Sequence, residues 1–118
     1  MPALNFKPEF AAAVEAGTKL QTIRSMTCFK VGDEIRLTKY LGPTCFMHKI
    51  GDGIIESVEP IMIDYNVMCL LSGKFMFQDE RDLIINAEGF KGAIPFYEFF
   101  KENYGLPFEG YLIKWRLK

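Results

Sequence analysis

Histidine is almost absent: the chain has one, His48, in 118 residues. Its three cysteines, Cys28, Cys45 and Cys69, lie far apart. Together these residues form no zinc-ligand spacing, so no metal site is expected, and no motif calls for a cofactor. Cysteines so few, odd in number and scattered do not make a disulfide framework, and they fit a reducing, cytoplasmic setting. No apolar run approaches the roughly 20 residues of a membrane span, and the N-terminus lacks the charged-then-apolar order of a signal peptide. A surplus of either charge is missing too: 14 Lys and Arg stand against 15 Asp and Glu, for a net charge of −1. Without a basic field, tight binding to long double-stranded DNA is excluded, while a local groove for a short RNA or a nucleoside stays open. No repeat, low-complexity tract or linker interrupts the chain.

What is present is a globular composition, 49% apolar and 25% charged, with 11 phenylalanines to fill a core or line a cleft. One domain spanning residues 1–118 is expected. Pro8 to Ala16 reads as a helix, with proline suited to the first turn and Gly17 just past the end. Phe10, Ala13 and Val14 would share its inner face. Gln21 to Arg24 reads as extended, with Ile23 on one side and Thr22 and Arg24 on the other. Gly32-Asp33 signals a turn, and Glu34 to Tyr40 alternates as a half-buried strand. Gly42-Pro43 breaks it, Cys45 to Ile50 is the return strand, and Gly51-Asp52-Gly53 is a further turn. Ile54 to Ile63 is β-rich, with Pro60 at an edge, bulge or end. Val67 to Leu71 and Lys74 to Phe77 flank Ser72-Gly73 as a hairpin. Glu80 to Ala87 and Pro95 to Tyr104 read as helices, the second with Phe96, Phe99 and Phe100 on one side. Tyr111 to Leu117 closes the chain as a strand. These elements predict an α+β fold, a small, partly closed β-barrel of about five to six strands with two to three flanking helices.

The densest chemistry lies in Gly17-Thr18-Lys19-Leu20-Gln21-Thr22-Ile23-Arg24. Lysine and threonine can act as base and nucleophile, and arginine can hold an anion. Far downstream, Glu88-Gly89-Phe90 looks like the partner of this segment. The order of Gly17, Lys19, Thr22, Ile23, Arg24, Gly32, Asp33, Glu88, Gly89, Phe90, Phe96, Phe99, Phe100, Tyr104 and Trp115 resembles the ASCH (activating-signal-cointegrator homology) domain family over nearly the whole chain. The resemblance implies a PUA-like barrel, related to RNA-binding domains, with a cleft where the Lys-x-x-Thr-x-Arg segment meets the glutamate. Some small bacterial members look like amidohydrolases that remove the acetyl group from 4-acetylcytidine. By motif position their active lysine, threonine and glutamate fall on Lys19, Thr22 and Glu88. Those members are somewhat shorter, and the Ser72-Gly73 hairpin and the Glu-Gly-Phe form sit closer to the broader family.

Each residue also has a plainer reading. Lys19 suits the C-terminal end of a helix through its charge alone. Thr22 suits a strand, and Arg24 and Glu88 would form an ion pair across the cleft. In an ideal strand Lys19 and Thr22 face opposite sides, so they converge only if the chain turns between Gly17 and Gln21. Arg24, Gly89, Phe90, Tyr40 and Lys114 are the candidates for holding a nucleoside or short single-stranded RNA; Tyr40, Phe90 and Trp115 can stack a base, and Lys114 with Arg116 and Lys118 can touch phosphates. Three functions follow: hydrolysis of an acylated cytidine, RNA binding without catalysis, and cleavage of short single-stranded RNA.

Overall fold

The structure is a computed structural model that describes residues 3–41, 46–64, 67–70, 74–75 and 78–118. The chain runs β1 (Ala3–Phe6), α1 (Pro8–Glu15), β2 (Gln21–Arg24), β3 (Glu34–Leu41), β4 (Phe46–Asp64), β5 (Val67–Leu70), β6 (Lys74–Phe75), α2 (Gln78–Ala87), α3 (Ala93–Asn103) and β7 (Phe108–Leu117). This is an α+β architecture with one mixed sheet. Its main path is β1-β3-β4-β5-β6, from which β7 and then β2 branch off β4. β1 lies parallel to β3, and the other pairings are antiparallel. Among the described residues no ladder joins β1 to β2, so the sheet does not close through backbone hydrogen bonds.

β4 organises the molecule because it is long enough to serve three partners. Its first part pairs with β3, its middle and end with β7, and its last residues with β5. The expected turn at Gly51-Asp52-Gly53 is therefore absent, and these residues pair inside β4 with Leu37, Arg36 and Ile35. The glycines are there for closeness. A Cβ on Gly53 would stand 3.1 Å from both the Trp115 ring and the Arg116 carbonyl, and one on Gly51 would stand 3.4 Å from Leu37. Cys45, the Gly42-Pro43 break and the Ser72-Gly73 turn lie outside the described residues.

A bulge sets which way β4 faces. Ile55 pairs with Trp115 and Ser57 with Lys114, so Glu56 is the extra residue. One extra residue reverses the inward and outward phase of everything beyond it. Before the bulge Ile55 joins a core with Leu4, Phe6, Ala11, Val14, Ile35, Leu37, Ile113 and Trp115. After it, Ile61 and Ile63 join a second core with Ile23, Ile85, Phe96, Tyr97, Phe100, Phe108 and Leu112. α1 covers the first core, and α2 and α3 cover the second. β7 is buried on both faces, which is why Leu112 is as enclosed as its neighbour Ile113.

α1 turns Val14 inward as expected, with Ala11 rather than Phe10 and Ala13 beside it. Ala11 and Val14 are buried, while Phe10 and Ala13 are half-buried. Phe10 instead leans across the junction of the two cores, with its ring 6.0 Å from Phe90 and 6.1 Å from Phe99. No helix among the described residues is long and apolar enough to cross a membrane.

Candidate functional site

Two helix ends bring the polar residues together. At the end of α1, Gly17 takes φ of 79°. Its N–H donates to the Val14 carbonyl, and the Thr18 N–H donates to Ala13. This pair of bonds is the Schellman arrangement, and it needs a residue tolerant of the left-handed region. The reversal keeps Lys19 out of β2, which begins at Gln21. The opposite-face problem foreseen for Lys19 and Thr22 is removed in this way.

α2 ends by the same device. Gly89 has φ of 94°, its N–H donates to Asn86, and the Phe90 N–H donates to Ile85. Glu88 is the residue just before this reversal. An acidic side chain at a helix C-terminus meets the negative end of the dipole, so it needs cationic company there. Lys19 supplies it. Its Nζ donates to the Glu88 backbone carbonyl at 3.1 Å and lies 3.5 Å from Oε2. The plain reading of Lys19 as a helix-end cation holds for α2, not for α1, and the lysine is buried at 4% exposure rather than solvated.

Glu88 is 6% exposed and draws two more donors from β2. The Gln21 Nε2 donates to its Oε2 at 3.1 Å, and the Ile23 N–H also donates to its carboxyl. Burial pushes the Glu88 carboxyl above its ordinary range, against Lys19, Gln21 and Ile23, which favour the carboxylate. Burial pulls Lys19 below its ordinary range; Glu88 opposes this, and Arg24 adds to it. Each shift moves its group towards the neutral form.

Thr22 and Arg24 form the other half. Arg24 Nε donates to the Thr22 hydroxyl at 3.2 Å, and its terminal nitrogen donates to the Asn5 carbonyl at 2.6 Å. The guanidinium lies 5.1 Å from the centre of the Phe6 ring. Burial lowers its pKa, while Tyr104, Glu88 and Tyr40 act the other way. Arg24 therefore makes no direct ion pair with Glu88 and instead fastens β2 to β1 at the gap in the sheet. No hydrogen bond joins Lys19 to Thr22 among the described residues.

These groups open into a cleft of about 280 Å³, lined by Lys19, Thr22, Arg24 and Glu88 and walled by aromatic rings from both cores. That volume suits a nucleobase with its substituent better than a duplex. Tyr40 and Tyr104 stand at its exposed margin, 40% and 50% accessible, and Phe90 forms part of the wall. Gly89 serves the turn and does not line the cleft. Lys114 is exposed on β7 outside the cleft, opposite Gln21 in the β2 register. Trp115 is core, tilted against Phe6. His48 is exposed, and no group of three His, Cys, Asp or Glu side chains gathers among the described residues.

Sequence reasoning did not single out Gln21, Asn5, Phe6 or Lys7. Gln21 gives itself away only by being a polar residue inside an otherwise buried strand, which needs the burial to be known. Asn5, Phe6 and Lys7 come with β1, too short a strand to leave a pattern. The chain matches no family model, no curated protein and no solved structure.

Proposed function

We propose that the chain is an ASCH-type, PUA-like domain whose cleft hydrolyses the amide of an acylated pyrimidine nucleoside, most simply 4-acetylcytidine. The observation that carries this reading is a buried lysine with a lowered pKa sharing one small cleft with a threonine hydroxyl already held by an arginine. A structural ion pair alone would not need an open, aromatic-walled cleft beside it. The gap between β1 and β2, crossed by the Arg24 side chain, suits a partly closed barrel with its site at the seam.

In this reading neutral Lys19 accepts the Thr22 proton as Thr22 Oγ1 bonds to the acyl carbon. The carbonyl electron pair moves onto its oxygen, which Arg24 stabilises. Collapse breaks the C–N bond, and the Lys19 ammonium returns the proton to the departing amine, releasing cytidine. Water, giving a proton to Glu88, then attacks the threonine ester. Collapse breaks the ester C–O bond, Glu88 returns that proton to Thr22 Oγ1, and the acyl group leaves as a carboxylic acid. Substrate entry has to swing Nζ from the Glu88 carbonyl towards Thr22; catalytic hydrogen bonds commonly tighten only in the complex. Binding without catalysis is the second reading, favoured by the Lys19 hydrogen bond going to Glu88 rather than to Thr22.

The test is hydrolysis of 4-acetylcytidine by the purified protein, with Lys19→Ala and Glu88→Ala as controls. Cytidine release that both substitutions abolish supports the proposal. No release at high enzyme concentration overturns it in favour of binding alone.

A further inference from the structure

The acyl-transfer chemistry leaves one cation of the cleft unused. Lys7 lines the same cleft, exposed at its margin, with Nζ 5.9 Å from the centre of the Phe99 ring. It follows β1 directly as the extended N-cap residue of α1, and Asn5, Phe6 and Lys7 together form this side of the cleft. Among the described residues no carboxylate lies within ion-pair distance of Lys7 or Arg24. Arg24 commits its Nε to Thr22 and one terminal nitrogen to Asn5, out of five N–H donors.

The charge of the cleft therefore differs in sign from that of the chain. By formal charge Lys7, Lys19 and Arg24 line it against Glu88 alone in a protein of net charge −1. A Lys19–Glu88 pair that is either fully charged or fully neutral leaves the positive charge of Lys7 and Arg24 uncompensated. A concave, ring-walled site with this surplus concentrates anions. The neutral 4-acetylcytidine nucleoside answers none of it.

We propose that the natural ligand is a phosphorylated nucleoside whose phosphate sits at the margin of the cleft on Lys7, with its base directed to Lys19 and Thr22. This rests on the nucleoside reading of the site but not on catalysis. A phosphate oxygen next to an ammonium gains a charge-assisted hydrogen bond, and the partly exposed position leaves room for the ester. The shared chemistry is a phosphate on the pentose, whether in a free nucleotide or within a short RNA.

The test is calorimetric titration of the whole protein with cytidine, cytidine 5′-monophosphate and a cytidine dinucleotide, at low and high salt. Phosphate should tighten binding on the order of tenfold over cytidine at low salt, and the gain should shrink as salt rises. Lys7→Gln should remove most of that gain, and Lys7→Arg should keep it. Stronger binding of the monophosphate assigns a free nucleotide, and stronger binding of the dinucleotide assigns RNA. Equal affinity for cytidine and its monophosphate overturns the inference, as does a gain that survives Lys7→Gln. Failure of 4-acetylcytidine hydrolysis with the phosphate gain intact overturns only the hydrolase reading, and no binding of any ligand overturns both.

Discussion

Gln21 Nε2 donates to Glu88 Oε2 across 3.1 Å, tying the first residue of β2 to the residue that follows α2. This bond favours the carboxylate in a place where burial opposes it. A hydrogen bond to a charged group contributes about 1.5–3 kcal/mol. Gln21→Leu should therefore lower kcat by roughly 10- to 100-fold and KM by far less. With the donor gone the Glu88 pKa rises further, so the acidic limb of the pH–rate profile should move to higher pH. An unmoved limb would limit Gln21 to packing.

Thr22 and Arg24 should separate in a kinetic comparison. Thr22→Ala should abolish turnover and leave nucleoside binding nearly intact, and Thr22→Ser should restore part of the rate. Arg24→Ala should damage both binding and turnover, because it also leaves the Asn5 carbonyl without its donor. Full activity in Thr22→Ala would rule out the hydroxyl as nucleophile.

The Lys19–Glu88 pair should cost stability around neutral pH. Folded Glu88 holds its proton more tightly than the ordinary carboxyl at 4.5, so the fold loses stability as pH rises through the raised value. Folded Lys19 gives up its proton below the ordinary 10.5, so stability returns as pH rises from the lowered value towards that figure. Between the two lies a dip. Lys19→Met combined with Glu88→Gln should fill it, leaving Tm at neutral pH equal to or above that of the parent, by up to about 1–4 kcal/mol in stability. Lys19→Met alone should leave the buried carboxyl without its cation and lower Tm. Thermal melts from acidic to alkaline pH check both.

Gly110 should be intolerant of any side chain. A Cβ there would lie 2.5 Å from the Arg24 carbonyl and 2.6 Å from the Phe108 ring. Gly110→Ala must push β2 away from β7 or turn Phe108 out of its core. Overpacking of this kind costs about 1–3 kcal/mol or more. Urea unfolding should show that loss, and because β2 carries Thr22 and Arg24, activity should fall beyond the stability effect.

The sequence disclosed the elements with strong local signals. Pro8 and Gly17 bracketed α1, Glu34 to Tyr40 alternated cleanly, and the aromatic helix carried its rings at helical spacing. Lys19, Thr22, Arg24, Glu88, Phe90 and Tyr40 do share one cleft. What stayed hidden depends on distant partners. Gly51 and Gly53 look like turn residues locally, and only Leu37 and Trp115 packed against them explain their presence in a strand. β1 has four residues, too few for a period to show. Lys114 carries the right charge, but nothing local tells that it sits on the outer side of β7.

The bulge at Glu56 marks a place where the number of residues matters more than their identity. Its side chain is exposed and supports neither core, so many amino acids should serve there. Deleting it would leave the pairs Ile55–Trp115 and Ser57–Lys114 adjacent in a regular ladder, with Ile61 and Ile63 still facing α3. Inserting a further residue, with no second bulge to absorb it, would turn them away and present Pro60 and Met62 in their place. The chain is thus tolerant of spelling at this position and intolerant of added length.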